Sequence, residues 1–136
     1  MKWDDLLNVP FKWGGRDKSG MDCWGLVVEC CRRAGTPIAD PFRELSASIP
    51  EEEAMRVRSE KINAREVAEP AEGRIVYCER EGASHAGYLV AKNRVLHEVT
   101  GKRAVLTPLA AFRDARFFEV VQGGQGEEGE PGIGRT

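Results

Sequence analysis

Three residues of this chain have the types and the spacing for thiol chemistry: Cys23, His85 and His97. Cys23 follows a turn-rich loop, Pro10 to Met21. It opens a run in which Cys23, Leu26, Val27, Cys30, Cys31 and Ala34 recur at the period of one helical face. A thiol in the first turn of a helix meets unpaired backbone N–H groups and the positive end of the macrodipole. Both favour the thiolate, which is the nucleophilic form. His85 stands in Gly82-Ala83-Ser84-His85-Ala86-Gly87-Tyr88 and His97 in Val95-Leu96-His97-Glu98, with the turn Lys92-Asn93 between them. Pairing about that turn carries the start of the first strand toward the end of the second, so both histidines share one end of a hairpin. A cysteine, a histidine to take its proton and a second polar group to orient that histidine form a relay. In it Cys23 is the nucleophile, His85 the base and later the acid, and His97 the orienter. The same residue types also occur as an inert core thiol and as satisfied or surface histidines.

The elements that must position these groups can be read in order. Met1 to Val9 reads as a short helix with Trp3, Leu6 and Leu7 on one side, ended by Pro10. The helix from Cys23 stops at Gly35, before Thr36-Pro37. Ser48-Ile49-Pro50-Glu51 has the capping-box form and opens a polar helix through about Lys61, with a second helical piece near Asn63 to Glu69. After Gly73 come short β-rich runs, Arg74 to Cys78, Ala86 to Ala91, Arg94 to Glu98 and Arg116 to Val121, spaced as an antiparallel meander. Thr107-Pro108 reads as the start of one more short helix, with Leu109, Ala110 and Phe112 inward. Helices first and strands later indicate an α+β domain, with N-terminal helices packed on an antiparallel sheet. It spans residues 1–121, followed by a flexible Gly/Glu-rich tail over 122–136.

Composition narrows the function classes. At 136 residues the chain is one domain with room for a single core. A net charge of −2 argues against nucleic acid as the main partner. No run is long enough to span a bilayer, and no apolar stretch behind Met1-Lys2-Trp3-Asp4-Asp5 forms a secretory signal. Cys30 and Cys31 read as core hydrophobes and Cys78 as a strand residue. The cysteine spacings match no zinc template, which leaves a site built from Cys23, His85 and His97, or with Cys78, as a minor alternative; neither metal nor cofactor is expected.

Several stretches together resemble one family. Phe11-Lys12-Trp13-Gly14-Gly15, Asp22-Cys23-Trp24-Gly25-Leu26-Val27, Glu72-Gly73-Arg74-Ile75-Val76, Ser84-His85-Ala86-Gly87-Tyr88-Leu89 and Arg94-Val95-Leu96-His97-Glu98 resemble, in order, the motifs of the NlpC/P60 papain-like cysteine peptidases. Tryptophan rather than serine after the cysteine is similar to the branch found in phage and prophage tail-assembly proteins. The resemblance implies a papain-like fold, catalytic Cys23, His85 and His97, and hydrolysis of a peptidoglycan stem peptide. It also implies phage tail proteins as partners, and delivery by a virion to the periplasm and cell wall after synthesis in the host cytoplasm. Phe11, Trp13, Asp22, Trp24 and Ser84 become candidates for substrate or oxyanion contacts, Asp22 also for a helix cap, and Lys12, Arg16 and Lys18 for contacts to stem carboxylates. Many members carry tyrosine at Phe11, where the hydroxyl is thought to assist the oxyanion; loss of one such donor costs about 2.7–4 kcal/mol of transition-state stabilisation. Phe11, Trp24 and the tail motivate a second reading, a tail structural component with weak or no activity.

Overall fold

A computed structural model describes residues 1–40, 62–80 and 83–121. Two strand pairs of the sequence analysis form as expected. β4 (Ile75–Arg80) pairs antiparallel with β5 (Ala83–Ala91), and β5 turns through Lys92-Asn93 into β6 (Arg94–Glu98). Their faces alternate, as the period of a strand requires. Ala86, Tyr88 and Leu96 join the core under the cysteine helix, whereas Val76, Cys78, Leu89 and Val95 form a second cluster with Phe112.

That helix, α1 (Cys23–Arg33), begins and ends close to where its periodicity and Gly35 place it. It lays Cys23, Leu26, Val27, Cys30 and Cys31 against the sheet, all five buried. Burial pushes the thiols of Cys30 and Cys31 up to about 12, so both behave as inert core groups. α1 packs on β5 and β6, the two strands that carry the histidines.

Three expectations are corrected. Residues 1–9 are not a helix: only Asp4–Leu6 makes one 3-10 turn. Asn8 then takes a positive φ of 71°, and its N–H donates to the Ala104 carbonyl. Backbone bonds to a strand thus outweigh a marginal helix that Pro10 would cut short. The stretch near Asn63 to Glu69 is a strand, β3 (Ala64–Val67), paired with β8 (Arg116–Val120). Cross-strand ion pairs Arg65–Glu119 and Arg116–Glu66 hold these charged residues in register, a tertiary gain that helix propensity does not register. Finally, a strand not anticipated from sequence, β7 (Ala104–Pro108), pairs with β6, and only Leu109–Ala111 turns 3-10. Pro108, without an N–H, closes β7 where the strand lies at the end of the sheet order.

β4 to β7 run as a meander, and β8 returns between β3 and β4, giving the antiparallel order β3-β8-β4-β5-β6-β7. One α-helix, α1, is found among the described residues. The helix expected over 48–61 and the tail over 122–136 lie outside them. No helix among the described residues is long and apolar enough to cross a membrane.

Candidate active site

The loop before Cys23 is held by two short strands, β1 (Arg16–Asp17) and β2 (Gly20–Met21), and by bonds to neighbouring backbone. Phe11 N–H donates to the Lys102 carbonyl, Lys12 N–H to Met21, and Met21 N–H to Pro10. The start of α1 is thereby tied to the β6–β7 hairpin.

Asp22 organises this loop. Its buried carboxylate caps α1 by accepting from Gly25 N–H at 2.7 Å, and also accepts from Gly14 N–H at 2.8 Å and Arg16 Nη1 at 2.8 Å. Arg16 also donates from Nη1 to the Gly15 carbonyl at 2.7 Å, and from Nε and Nη2 to Asp40 at 2.7 and 3.0 Å. Burial works against the Arg16 charge, yet Asp40 and Asp22 hold its pKa above the ordinary value. Gly25 has to lack a side chain here, because a Cβ would lie 2.3 Å from the Gly15 carbonyl oxygen. Helix start and loop therefore touch backbone to backbone, which accounts for glycine at 25; glycine at 15 answers to a different neighbour, since a Cβ there would lie 2.2 Å from the Gly20 carbonyl oxygen.

Replacing Asp22 by alanine removes the cap and one partner of a half-buried arginine, a combined loss of about 2–4 kcal/mol. Chemical denaturation checks it: Asp22→Asn, which keeps an acceptor without the charge, is expected to fall between wild type and Asp22→Ala. Equal stability of all three would show that Asp22 does not organise the loop.

The histidines meet as the hairpin predicts. His85 Nε2 lies 2.8 Å from His97 Nδ1, and His97 Nε2 lies 2.8 Å from Thr107 Oγ1. Tyr88 faces Leu96, so Gly87 comes opposite His97. A Cβ on Gly87 would fall 2.6 Å from Val95 Cγ1 and 3.1 Å from His97 Cβ, so the bare glycine leaves the space in which His97 sits. Phe112 lies parallel to the His85 ring, with centroids 6.4 Å apart, and edge-on to His97 at 4.9 Å. His97 is buried and His85 half-buried.

Cys23 is buried at the other wall, in the core cluster that also contains Ala86, the neighbour of His85. Electrostatics link the two walls as well. The Asp22 charge bears on Glu98, the residue after His97, so the α1 N-terminus lies near the β6 end that carries the orienter.

Other candidates fall differently. Trp24 is buried, with its indole N–H donating to the Ala39 carbonyl at 3.1 Å. Ser84 is buried and shares a 2.8 Å hydrogen bond with Tyr77. Trp13 is 38% exposed and stands edge-on to Phe11, with ring centroids 4.9 Å apart. In the basic loop Arg16 is committed internally, Lys18 is exposed and pairs with Asp5 at 3.2 Å, and Lys12 is exposed as well. Gly25 N–H, taken by Asp22, is no donor for an oxyanion. No group of three or more His, Cys, Asp or Glu among the described residues could hold a metal ion. Thr107 and Phe112 were not among the site candidates from sequence. A two-residue turn at Thr100-Gly101 would set Leu106 opposite Val95; the loop instead holds three residues, Thr100 to Lys102, and that one-residue shift brings Thr107 opposite Val95.

Comparison with known proteins agrees with this geometry. The crystal structure of the NlpC/p60 domain of the peptidoglycan hydrolase SagA superposes with a TM-score of 0.56 at 17% identity, covering 87% of this chain and 92% of that one. At that identity the likeness concerns the fold. No curated protein matches the chain significantly. The sequence model of the NlpC/P60 family matches residues 8–121, from the loop before Cys23 through the last strand of the sheet. By that match, and with the mixed fold it shares, the chain belongs to the NlpC/P60 family of papain-like cysteine peptidases.

Proposed function

We propose that this chain is a thiol peptidase that cleaves peptidoglycan stem peptides, carried to the cell wall by a phage or phage-like tail. Cys23 is the nucleophile, His85 its base, and His97 orients His85. The observation that carries the reading is the hydrogen-bonded chain His85–His97–Thr107 on the two strands against which the Cys23 helix packs. His85 takes the thiol proton, and the thiolate attacks the scissile carbonyl. The tetrahedral intermediate collapses to a thioester as His85 returns the proton to the leaving amine. His85 then takes a proton from water, which attacks the thioester and restores the thiol. The tail assignment is supported by the Asp22-Cys23-Trp24-Gly25 motif. Burial of Trp24 removes one motive for a purely structural role in a tail, because its ring is not a docking face.

The test is a digest of purified muropeptides by the purified chain, followed by mass spectrometry of the products. Expected are two fragments with a new amine and a new carboxylate, together with fast iodoacetamide labelling of Cys23 near neutral pH. No fragment and no enhanced labelling would overturn the peptidase reading. Absence of the chain from purified virions of its source would overturn delivery by a tail while leaving the chemistry intact.

A further inference from the structure

We propose that Thr107 is a positioning residue: its hydroxyl sets the tautomer of His97 and, through it, keeps His85 ready to accept a proton. This rests on the proposed roles of Cys23 and His85. Both ring nitrogens of His97 are engaged, Nδ1 with His85 Nε2 and Nε2 with Thr107 Oγ1, each at 2.8 Å. A neutral imidazole has one donor and one acceptor. With Thr107 accepting, His97 carries its proton on Nε2 and offers the Nδ1 lone pair to the Nε2–H of His85. Neutral His85 then has an unprotonated Nδ1, the atom able to take a thiol proton. With Thr107 donating, each proton shifts to the other nitrogen, and Nδ1 of His85 is already protonated.

The charged state removes the choice. Once His85 is an imidazolium both its nitrogens donate, so His97 must accept at Nδ1 and donate at Nε2, and Thr107 must accept. The hydroxyl oxygen is thus the end of the chain that stabilises the His85 cation, and no proton passes between the histidines.

The surroundings make that oxygen hard to replace. His97 is 5% exposed, so bulk water does not stand in readily for the hydroxyl. His97 faces Val105 across β6 and β7, and Val95 faces Thr107, which puts Thr107 one same-face step from His97. Phe112 packs against both rings.

The experiment uses the full chain with 15N-labelled histidine. In the wild type, ring-nitrogen NMR is expected to show neutral His97 as the Nε2–H tautomer. Thr107→Val, similar in shape but without the oxygen, is expected to lower the titration midpoint of His85 and reduce kcat on muropeptides roughly 10- to 100-fold with little change in KM. Thr107→Ser is expected to restore both. A wild-type His97 with its proton on Nδ1, or a Thr107→Val chain with unchanged ring shifts and an unchanged His85 midpoint, overturns the proposal. Those readouts need no turnover. A wild type that cleaves nothing therefore strikes at the peptidase reading, whereas a wrong tautomer strikes at Thr107 alone.

Discussion

Substituting Cys23 with alanine is expected to lower kcat/KM for muropeptide cleavage by at least about 10⁴-fold, and His85→Ala to do nearly the same. The double variant is expected to fall no further than the worse single one. Nucleophile and base act in one step: a thiol without its base is mostly protonated, and a base without its thiol has nothing to activate. Cys23→Ser is expected to behave like Cys23→Ala, since a hydroxyl ionises far less readily than a thiol in the same place. Cys30 and Cys31 are the internal controls. Both are fully buried on the same helix, with thiols pushed up to about 12, so single alanine substitutions there cost stability and leave kcat largely intact. Steady-state kinetics and intact-mass labelling with iodoacetamide decide it. A Cys23→Ala chain that keeps more than about a tenth of the rate would show that the nucleophile lies elsewhere. Multiplicative losses in the double variant would show that Cys23 and His85 do not share a step.

The parts of this site that were legible from sequence are those set by local rules. The 3.6-residue period and Gly35 bounded α1, and the two-residue turn at Lys92-Asn93 brought His85 and His97 together. What escaped depends on partners distant in sequence. Residues 8–11 leave the helical path because their backbone bonds go to residues 102–104. Ala64–Val67 become a strand because β8, more than fifty residues on, supplies the ladder and the opposite charges. Arg16 read as a free cation, since nothing local shows that Asp22 and Asp40 both converge on it. Phe112 points inward, as the sequence pattern of Leu109, Ala110 and Phe112 implies, but onto the histidines rather than as part of a helix. Side-chain type and turn chemistry thus identified the reacting atoms, and long-range pairing decided what surrounds them.

Glu98 carries the second large expectation, and it concerns pH. Its side chain is fully buried, and neither carboxyl oxygen has a hydrogen-bond partner among the described residues. Burial, with the Asp22 charge beside it, pushes its pKa up to about 8. A carboxyl that holds its proton more tightly folded than unfolded imposes no penalty below the unfolded value, near 4.3. As pH climbs from there toward 8 the unfolded chain releases the proton and the folded chain keeps it, so stability falls, by up to about 1.4 kcal/mol per pH unit from this group. Above 8 both forms are ionised and the loss levels off. Glu98→Gln keeps the shape and removes the titration. The two chains are therefore expected to be similarly stable near pH 5, with the variant gaining steadily toward pH 8.5. Urea denaturation at half-unit pH steps measures this, and because the histidines are common to both chains their titration cancels in the difference. Parallel curves would mean that Glu98 is already ionised at pH 5. The charge formed at high pH repels that of Asp22, which in turn holds Gly14, Gly25 and Arg16. Alkaline loosening should accordingly begin at the Cys23 loop, visible as faster amide exchange at Gly14 and Gly25 above pH 8 in the wild type and not in Glu98→Gln.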